Sequence, residues 1–205
     1  TLRSQNTSKI TIHLNSTLKN SMSQIEGLTG MDQEMKAYLN KWNIKGASLA
    51  ILRNDSLVYA KGYGWADKDA GEKMEVGHIM RIASVSKLIT AIGIMVLQDQ
   101  GKLSITDKVF GTSGVLSKTY MNSLIKDPLY KEITIEHLLR HEGGWKKDFM
   151  FSPLTLISQM SLTEAPTADD IIKYTLPRKL DFVPGTNQKY SNFSYLLLSR
   201  IIEVV

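Results

Sequence analysis

Residues 88–97 hold a single polar side chain, Thr90. A run of this length is too long for an ordinary strand, and its apolar side chains point in every direction of a helix. It therefore predicts a helix that is buried all round. A small-residue start, Ala83 to Ser86, leads into it. Gln98-Asp99-Gln100-Gly101 closes it, with Gly101 placed for a left-handed C-cap. The rest of the chain has to be arranged around this helix. In its first turn Ser84 and Lys87 stand three residues apart, on one face. A hydroxyl and an amine side by side at a helix mouth can serve as nucleophile and base.

The chain has 205 residues, enough for one substantial core or two closely joined lobes. A net charge of +5 without a basic stripe argues against a nucleic-acid partner. Having no cysteine, the chain has no disulfide framework, thiolate metal site or thiol nucleophile. No run approaches the roughly 20 apolar residues of a membrane span. Because the chain starts at Thr1 and stops within an apolar pattern at Val205, it is expected to be a piece of a longer protein.

Residues 1–30 are rich in Ser, Thr and Asn and read as a polar arm, with one short alternating segment at Ile10, Ile12 and Leu14. Met31, Met35, Tyr38 (or Leu39) and Trp42 recur at helical spacing and read as core packing. Asp32 gives that helix a polar start, and residues 43–46 end it. Segments 47–52 and 57–61 flank the polar residues 53–56 and predict a hairpin that ends at Gly62-Tyr63-Gly64-Trp65. The first strand, apolar on both faces, suggests a sheet covered on both sides.

Beyond residue 103 short helical patterns dominate. Thr134 is placed to cap a helix over 135–140, and Thr167 with Asp170 forms a capping box before residues 171–176, with Pro177 as the stop. Pro184-Gly185 marks a turn, and a last helix begins near Phe193. Two parts result: residues 31–102, mixed α/β, and residues 103–205, helical.

Ser-x-x-Lys occurs three times, at Ser16, Ser84 and Ser123, so the spacing alone decides nothing. Only Ser84 opens a long apolar helix, whose N-terminus favours developing negative charge. Read from spacing alone, Ser84 is as well explained as a helix-start residue and Lys87 as a surface side chain. Tyr-x-Asn likewise occurs three times, at Tyr38, Tyr120 and Tyr190. Tyr190 differs in following the Pro184-Gly185 turn and preceding an apolar helix, where a phenol on a loop could reach a distant serine.

The combined pattern resembles the penicillin-recognising serine hydrolases. It comprises Ser84-Val85-Ser86-Lys87, Gly101-Lys102-Leu103-Ser104 with Asp107, the segment His137 to Gly144, Pro184-Gly185-Thr186, and Tyr190-Ser191-Asn192. Within these hydrolases it is similar to the class C β-lactamase branch, with its carboxylesterases and D-amino-acid peptidases. The resemblance covers residues 31–205. It implies an α/β (α+β) fold of the β-lactamase/transpeptidase-like type: an N-terminal hairpin of the sheet plus a helical lobe.

Carried over, Ser84 becomes the acylated nucleophile, Lys87 the group that eases its deprotonation, and Tyr190 a general base and then acid. Asn192 becomes a ligand of the substrate amide and of Lys87. Whether Lys87 or Tyr190 is the true base is left open. No cofactor is implied. The substrate would be a β-lactam, a D-amino-acid peptide or an ester, and the location periplasmic, cell-envelope or secreted. The runner-up is a penicillin-binding or sensing module that acylates without turnover, or a pseudoenzyme.

The family's third motif, a Lys-Thr-Gly or His-x-Gly strand that supplies an oxyanion donor beside the Ser84 N–H, has no match after Asn192. His141-Glu142-Gly143 fits the pattern but precedes Tyr190, and reads as a decoy. The C-terminal sheet strands are therefore expected to be missing, making residues 31–205 an incomplete domain that is nearly inactive alone. The hairpin edge would then pair with the missing part or with a second copy. His137 and His141 stand four apart, but Leu138 occupies the place of a zinc-protease glutamate, so no metal site is expected.

Overall fold

The computed structural model describes residues 29–118, 122–146 and 153–205. The polar arm except its last two residues lies outside them, and with it the 10–14 segment, the Ser16/Lys19 pair and, further on, Tyr120. The chain divides into two compact units, Thr1–Arg81 and Ile82–Val205.

In the first unit, α1 (Thr29–Lys41) is followed by an antiparallel sheet in the order β1 (Gly46–Arg53), β2 (Ser56–Asp67) and β3 (Glu72–Lys73). Asn43, at φ 50°, takes the left-handed position that ends α1, and the Ile44 N–H donates back to the Leu39 carbonyl at 2.9 Å. The β1–β2 turn centres on Asn54 and Asp55, both at positive φ. Asn and Asp tolerate that region, and two such residues match the twist of a tight hairpin. Asp32 ties α1 to the sheet: its carboxylate accepts from Lys61 Nζ (2.7 Å), Tyr63 Oη (2.8 Å) and Tyr59 Oη (3.1 Å). Lys61, Tyr63 and Tyr59 alternate along β2, so one face of that strand grips one carboxylate.

Two expectations fail in this unit, on β1 and on α1. The hairpin itself ends within residues 62–65 as expected, its last pair being Gly46 with Gly64, while β2 runs on to Asp67 and pairs with β3. A Cβ on Gly62 would lie 2.3 Å from the Met74 carbonyl oxygen. β1 is not covered on both faces: none of its residues is buried, and it forms one edge of the sheet. Of the α1 apolar set only Leu39 is buried; Tyr38 and Trp42 are exposed and lean on each other.

The second unit opens with a 3-10 turn, Ala83–Val85, that runs into α2 (Ser86–Asp99). Gly101 ends α2 as expected, at φ 66°, with Lys102 N–H donating to Leu97 O and Gly101 N–H to Gln98 O. Then follow α3 (Ile135–Leu139), α4 (Pro153–Met160), α5 (Ala168–Thr175) and α6 (Asn192–Val204). Thr134 and Thr167 cap α3 and α5, each in a reciprocal box, with His137 and Asp170 respectively.

The core of this unit gathers Phe110, Tyr130, Trp145, Phe193, Leu197 and Ile201 with their neighbours. Its aromatic centre is hydrogen-bonded: Trp145 Nε1 donates to Tyr130 Oη, and Tyr130 Oη to the Thr175 carbonyl. These bonds satisfy polar atoms whose burial would otherwise be costly.

α2 is not buried all round. Ile94 alone is fully buried, on the side that packs against α6, where Gly93 admits Ile202. Val85, Leu88, Ile89, Ile92 and Val96 are between 45% and 61% exposed. Their spacing puts them on one stripe. The apolar run thus reports two faces, of which the described residues bury one.

Candidate active site

Ser84 does not sit in the α-helix proper but in the 3-10 turn before it, and the residue preceding it, Ala83, has φ 45°. A left-handed alanine is uncommon and costs on the order of 1 kcal/mol. The strained step presents the Ser84 hydroxyl at the mouth of α2. Lys87, one turn on, points the same way, and its Nζ lies 3.4 Å from Ser84 Oγ.

The other half of the site arrives with α6. Ser191 caps that helix through its side chain, which accepts from the Ser194 N–H, and Phe193 anchors the first turn in the aromatic core against Trp145. With the helix start fixed, Asn192 faces Lys87 and Tyr190 faces Ser84. Lys87 Nζ donates to Asn192 Oδ1 at 2.6 Å, while Ser84 Oγ and Tyr190 Oη share a hydrogen bond of 2.6 Å. The ammonium also lies 4.7 Å from the centre of the Tyr190 ring, within cation–π range. All four residues singled out in the sequence therefore meet in one place. Ser123, from the competing Ser-x-x-Lys pair, lies in a separate 3-10 turn (Asn122–Leu124).

Such an arrangement can move a proton. A hydroxyl bonded to a tyrosine oxygen has an acceptor for its proton when that tyrosine is ionised, and the cation beside both favours the phenolate form.

The loop carrying Tyr190 is held by the corner after α3. Val183 to Thr186 close a turn in which Gly185 has φ 81°, and the Gly185 N–H donates to Glu142 O at 3.0 Å. Gln188 Nε2 donates to Arg140 O, and Lys189 N–H to His141 O at 2.9 Å. Ser191 N–H donates to His141 Nδ1 at 3.1 Å. Tyr195 Oη reaches back to Leu139 O at 3.2 Å. His141, taken from sequence as a decoy, is a neighbour of the site; its partner Ser191 stands 50 residues away along the chain. His137 and His141 each spend Nδ1 on a backbone N–H. Among the described residues no group of His, Asp and Glu is gathered to hold a metal ion.

The family model for Beta-lactamase matches residues 31–205. The chain belongs to the beta-lactamase family. It is 30% identical over 168 residues to Protein flp of Staphylococcus aureus, covering 82% of this chain and 31% of that protein. It is also 30% identical to the probable fimbrial assembly protein FimD of Dichelobacter nodosus, covering 76% of this chain and 36% of that one. The chain thus spans about a third of the length of these curated relatives.

Among solved structures it is similar to the octameric penicillin-binding protein homologue from Pyrococcus abyssi. The TM-score there is 0.66 at 25% identity, over 87% of this chain and 39% of that one. It is similar too to the beta-lactamase/D-alanine carboxypeptidase from Pseudomonas syringae (TM-score 0.62, 25% identity, 83% and 42% coverage). The D-amino acid amidase from Ochrobactrum anthropi shares the fold, with a TM-score of 0.62 at 23% identity over 83% of this chain and 43% of that one. The β-lactamase/transpeptidase-like fold read from the motifs is therefore that of this chain. Within it, the three-stranded antiparallel sheet and the helices form an α/β part of the domain.

Proposed function

We propose that the protein is a serine hydrolase that works through an acyl-enzyme on Ser84. The observation that carries this reading is the 2.6 Å bond between Ser84 Oγ and Tyr190 Oη, with Lys87 in reach of Ser84 and Asn192. As Ser84 Oγ attacks a carbonyl carbon, its proton passes to the Tyr190 oxygen, which enters the step as a phenolate stabilised by the Lys87 ammonium and leaves it as a neutral phenol. The proton then goes to the leaving nitrogen or oxygen as its bond to carbon breaks. Water, deprotonated by Tyr190, frees the acid and restores the serine. Asn192 fixes Lys87 and offers its amide to the substrate. One oxyanion donor is the Ser84 N–H; the second belongs to a strand outside these residues.

The substrate class is a β-lactam, a D-amino-acid peptide or an ester, in line with the carboxypeptidase and amidase among the structural neighbours. The family points to the cell envelope, periplasm or exterior as its place. Among the described residues no helix is long and apolar enough to cross a membrane. In the whole protein we place a further sheet segment, the carrier of the third motif, along the free edge of β1. The 31–102 and 103–205 parts then belong to one domain that this stretch builds incompletely.

The test is mass spectrometry of the complete gene product after exposure to a penicillin. An adduct on the Ser84 peptide that S84A lacks is the expected result, and an unmodified Ser84 overturns the reading. A burst followed by no turnover reassigns the protein as a sensor. Residues 1–205 alone should label slowly, because loss of one oxyanion donor typically costs about 10²–10³ in rate. Fast labelling of that piece contradicts the expected dependence on the further strand.

A further inference from the structure

Tyr190 stands between two anchored neighbours, and both anchors are on one residue. The carbonyl of His141 takes the Lys189 N–H at 2.9 Å, and its Nδ1 takes the Ser191 N–H at 3.1 Å. The imidazole ring lies 4.7 Å from the Tyr190 ring and 5.0 Å from the Tyr195 ring, tilted by about 35° to each. His141 itself has φ 60°, a left-handed conformation uncommon outside glycine, which lets carbonyl and side chain face the same loop. A histidine kept only to fill a core needs neither the left-handed backbone nor two bonds straddling a site residue.

We propose that His141 is the positioning residue for Tyr190, a clamp that holds the phenol oxygen on Ser84. This rests on the reading of Tyr190 as the proton acceptor for Ser84.

The clamp works in one protonation state. A backbone N–H can only donate, so Nδ1 must be the acceptor and the ring proton must sit on Nε2. Protonating Nδ1 would set two donors against each other. It would also place a second cation near the Lys87 ammonium, and the two would repel. The groups facing the ring are Lys87 from α2, Tyr190 from the loop and Tyr195 from α6. The neighbouring Glu142 is engaged by Arg140 at 3.3 Å. Burial and then Lys87 push the His141 pKa below its ordinary value. The imidazole is therefore more often neutral than a solvated histidine at the same pH.

Three variants of the complete gene product separate this clamp from a merely structural role. H141N tolerates the left-handed backbone and offers Oδ1 where Nδ1 stood. H141F keeps a ring and loses the acceptor. S84A is the control. The readout is the rate of Ser84 acylation by a fluorescent penicillin as a function of concentration, beside the thermal midpoint and the 15N shifts of the imidazole. H141F should lower the limiting acylation rate by about tenfold to a hundredfold, the effect of leaving one buried donor unpaired. Half-saturation should move less than about threefold, and H141N should recover most of the rate.

The wild-type imidazole should show the Nε2–H tautomer and titrate below about 6.5. The proposal is overturned if H141F acylates within twofold of wild type, or if H141N and H141F lose rate equally and in step with their thermal midpoints. It is also overturned if the ring carries its proton on Nδ1. Should wild type fail to label at Ser84, the hydrolase reading falls, while the tautomer and titration still judge the clamp.

Discussion

Lys87 Nζ donates to Asn192 Oδ1 across 2.6 Å, joining the first turn of α2 to the first residue of α6. The bond crosses 105 residues of sequence and fixes the cation between the hydroxyl and the phenol of the site. It is charge-assisted, and such bonds contribute about 1.5–3 kcal/mol.

Asn192→Ala should therefore slow acylation of Ser84 by about tenfold to a hundredfold. The fold should survive, since Ser191 caps α6 and Phe193 anchors it. Stopped-flow acylation together with circular dichroism would show both. An unchanged rate would mean that Lys87 holds its place without Asn192.

Gly185→Ala should damage the same site from a distance. Its φ of 81° excludes an ordinary side chain, and a Cβ there would lie 2.8 Å from His137 Nε2. The expected cost is about 1–2 kcal/mol in stability, with a larger loss of acylation than Asn192→Ala, because the whole Tyr190 loop shifts. Urea unfolding and labelling of the same sample give the two numbers.

Asp32 supplies a pH test in the first unit. Hydrogen bonds from Lys61, Tyr63 and Tyr59 hold its carboxyl below its usual value. The unfolded chain then binds the proton more readily than the folded one, so stability rises with pH between the two values. The contribution is present in full above about 4 and is lost as pH falls through the lower folded value. Asp32→Asn should lower stability at pH 7 by about 1–2 kcal/mol and flatten the acid limb. Denaturant melts of both proteins from pH 2.5 to 7 would reveal it.

Thr167→Ala removes one cap and the bond that the Thr167 hydroxyl donates to Asp170 Oδ2 at 2.6 Å. Thr167 Oγ1 accepts from the Asp170 N–H at 3.2 Å while Asp170 returns a bond to the Thr167 N–H at 2.9 Å. The loss should be about 1 kcal/mol, read as a lower thermal midpoint with no change in Ser84 labelling.

Local rules made the punctuation of this fold legible. Gly101, Thr134, Thr167 and the Asn54-Asp55 turn are each decided by a few neighbouring backbone groups, and each was expected from its residues. The meeting of Ser84, Lys87, Tyr190 and Asn192 was legible for a different reason: they sit in motifs whose order matches a family. What stayed hidden was set by distant contacts. His141 reads as a stray motif until Ser191 returns to it. The apolar run of α2 could not say which of its faces this stretch of chain would cover.

Ser84 and Tyr190 are separated by 106 residues, and most of the buried core of the second unit is laid down between them. Closing so long a loop precedes any contact that rewards it. The Ser84 hydroxyl is expected to meet the Tyr190 oxygen only in molecules whose Trp145, Tyr130 and Phe193 have already packed. If Ser84 is acylated as proposed, its labelling is also a stopwatch for folding: sampled during refolding, it would count the chains that have closed.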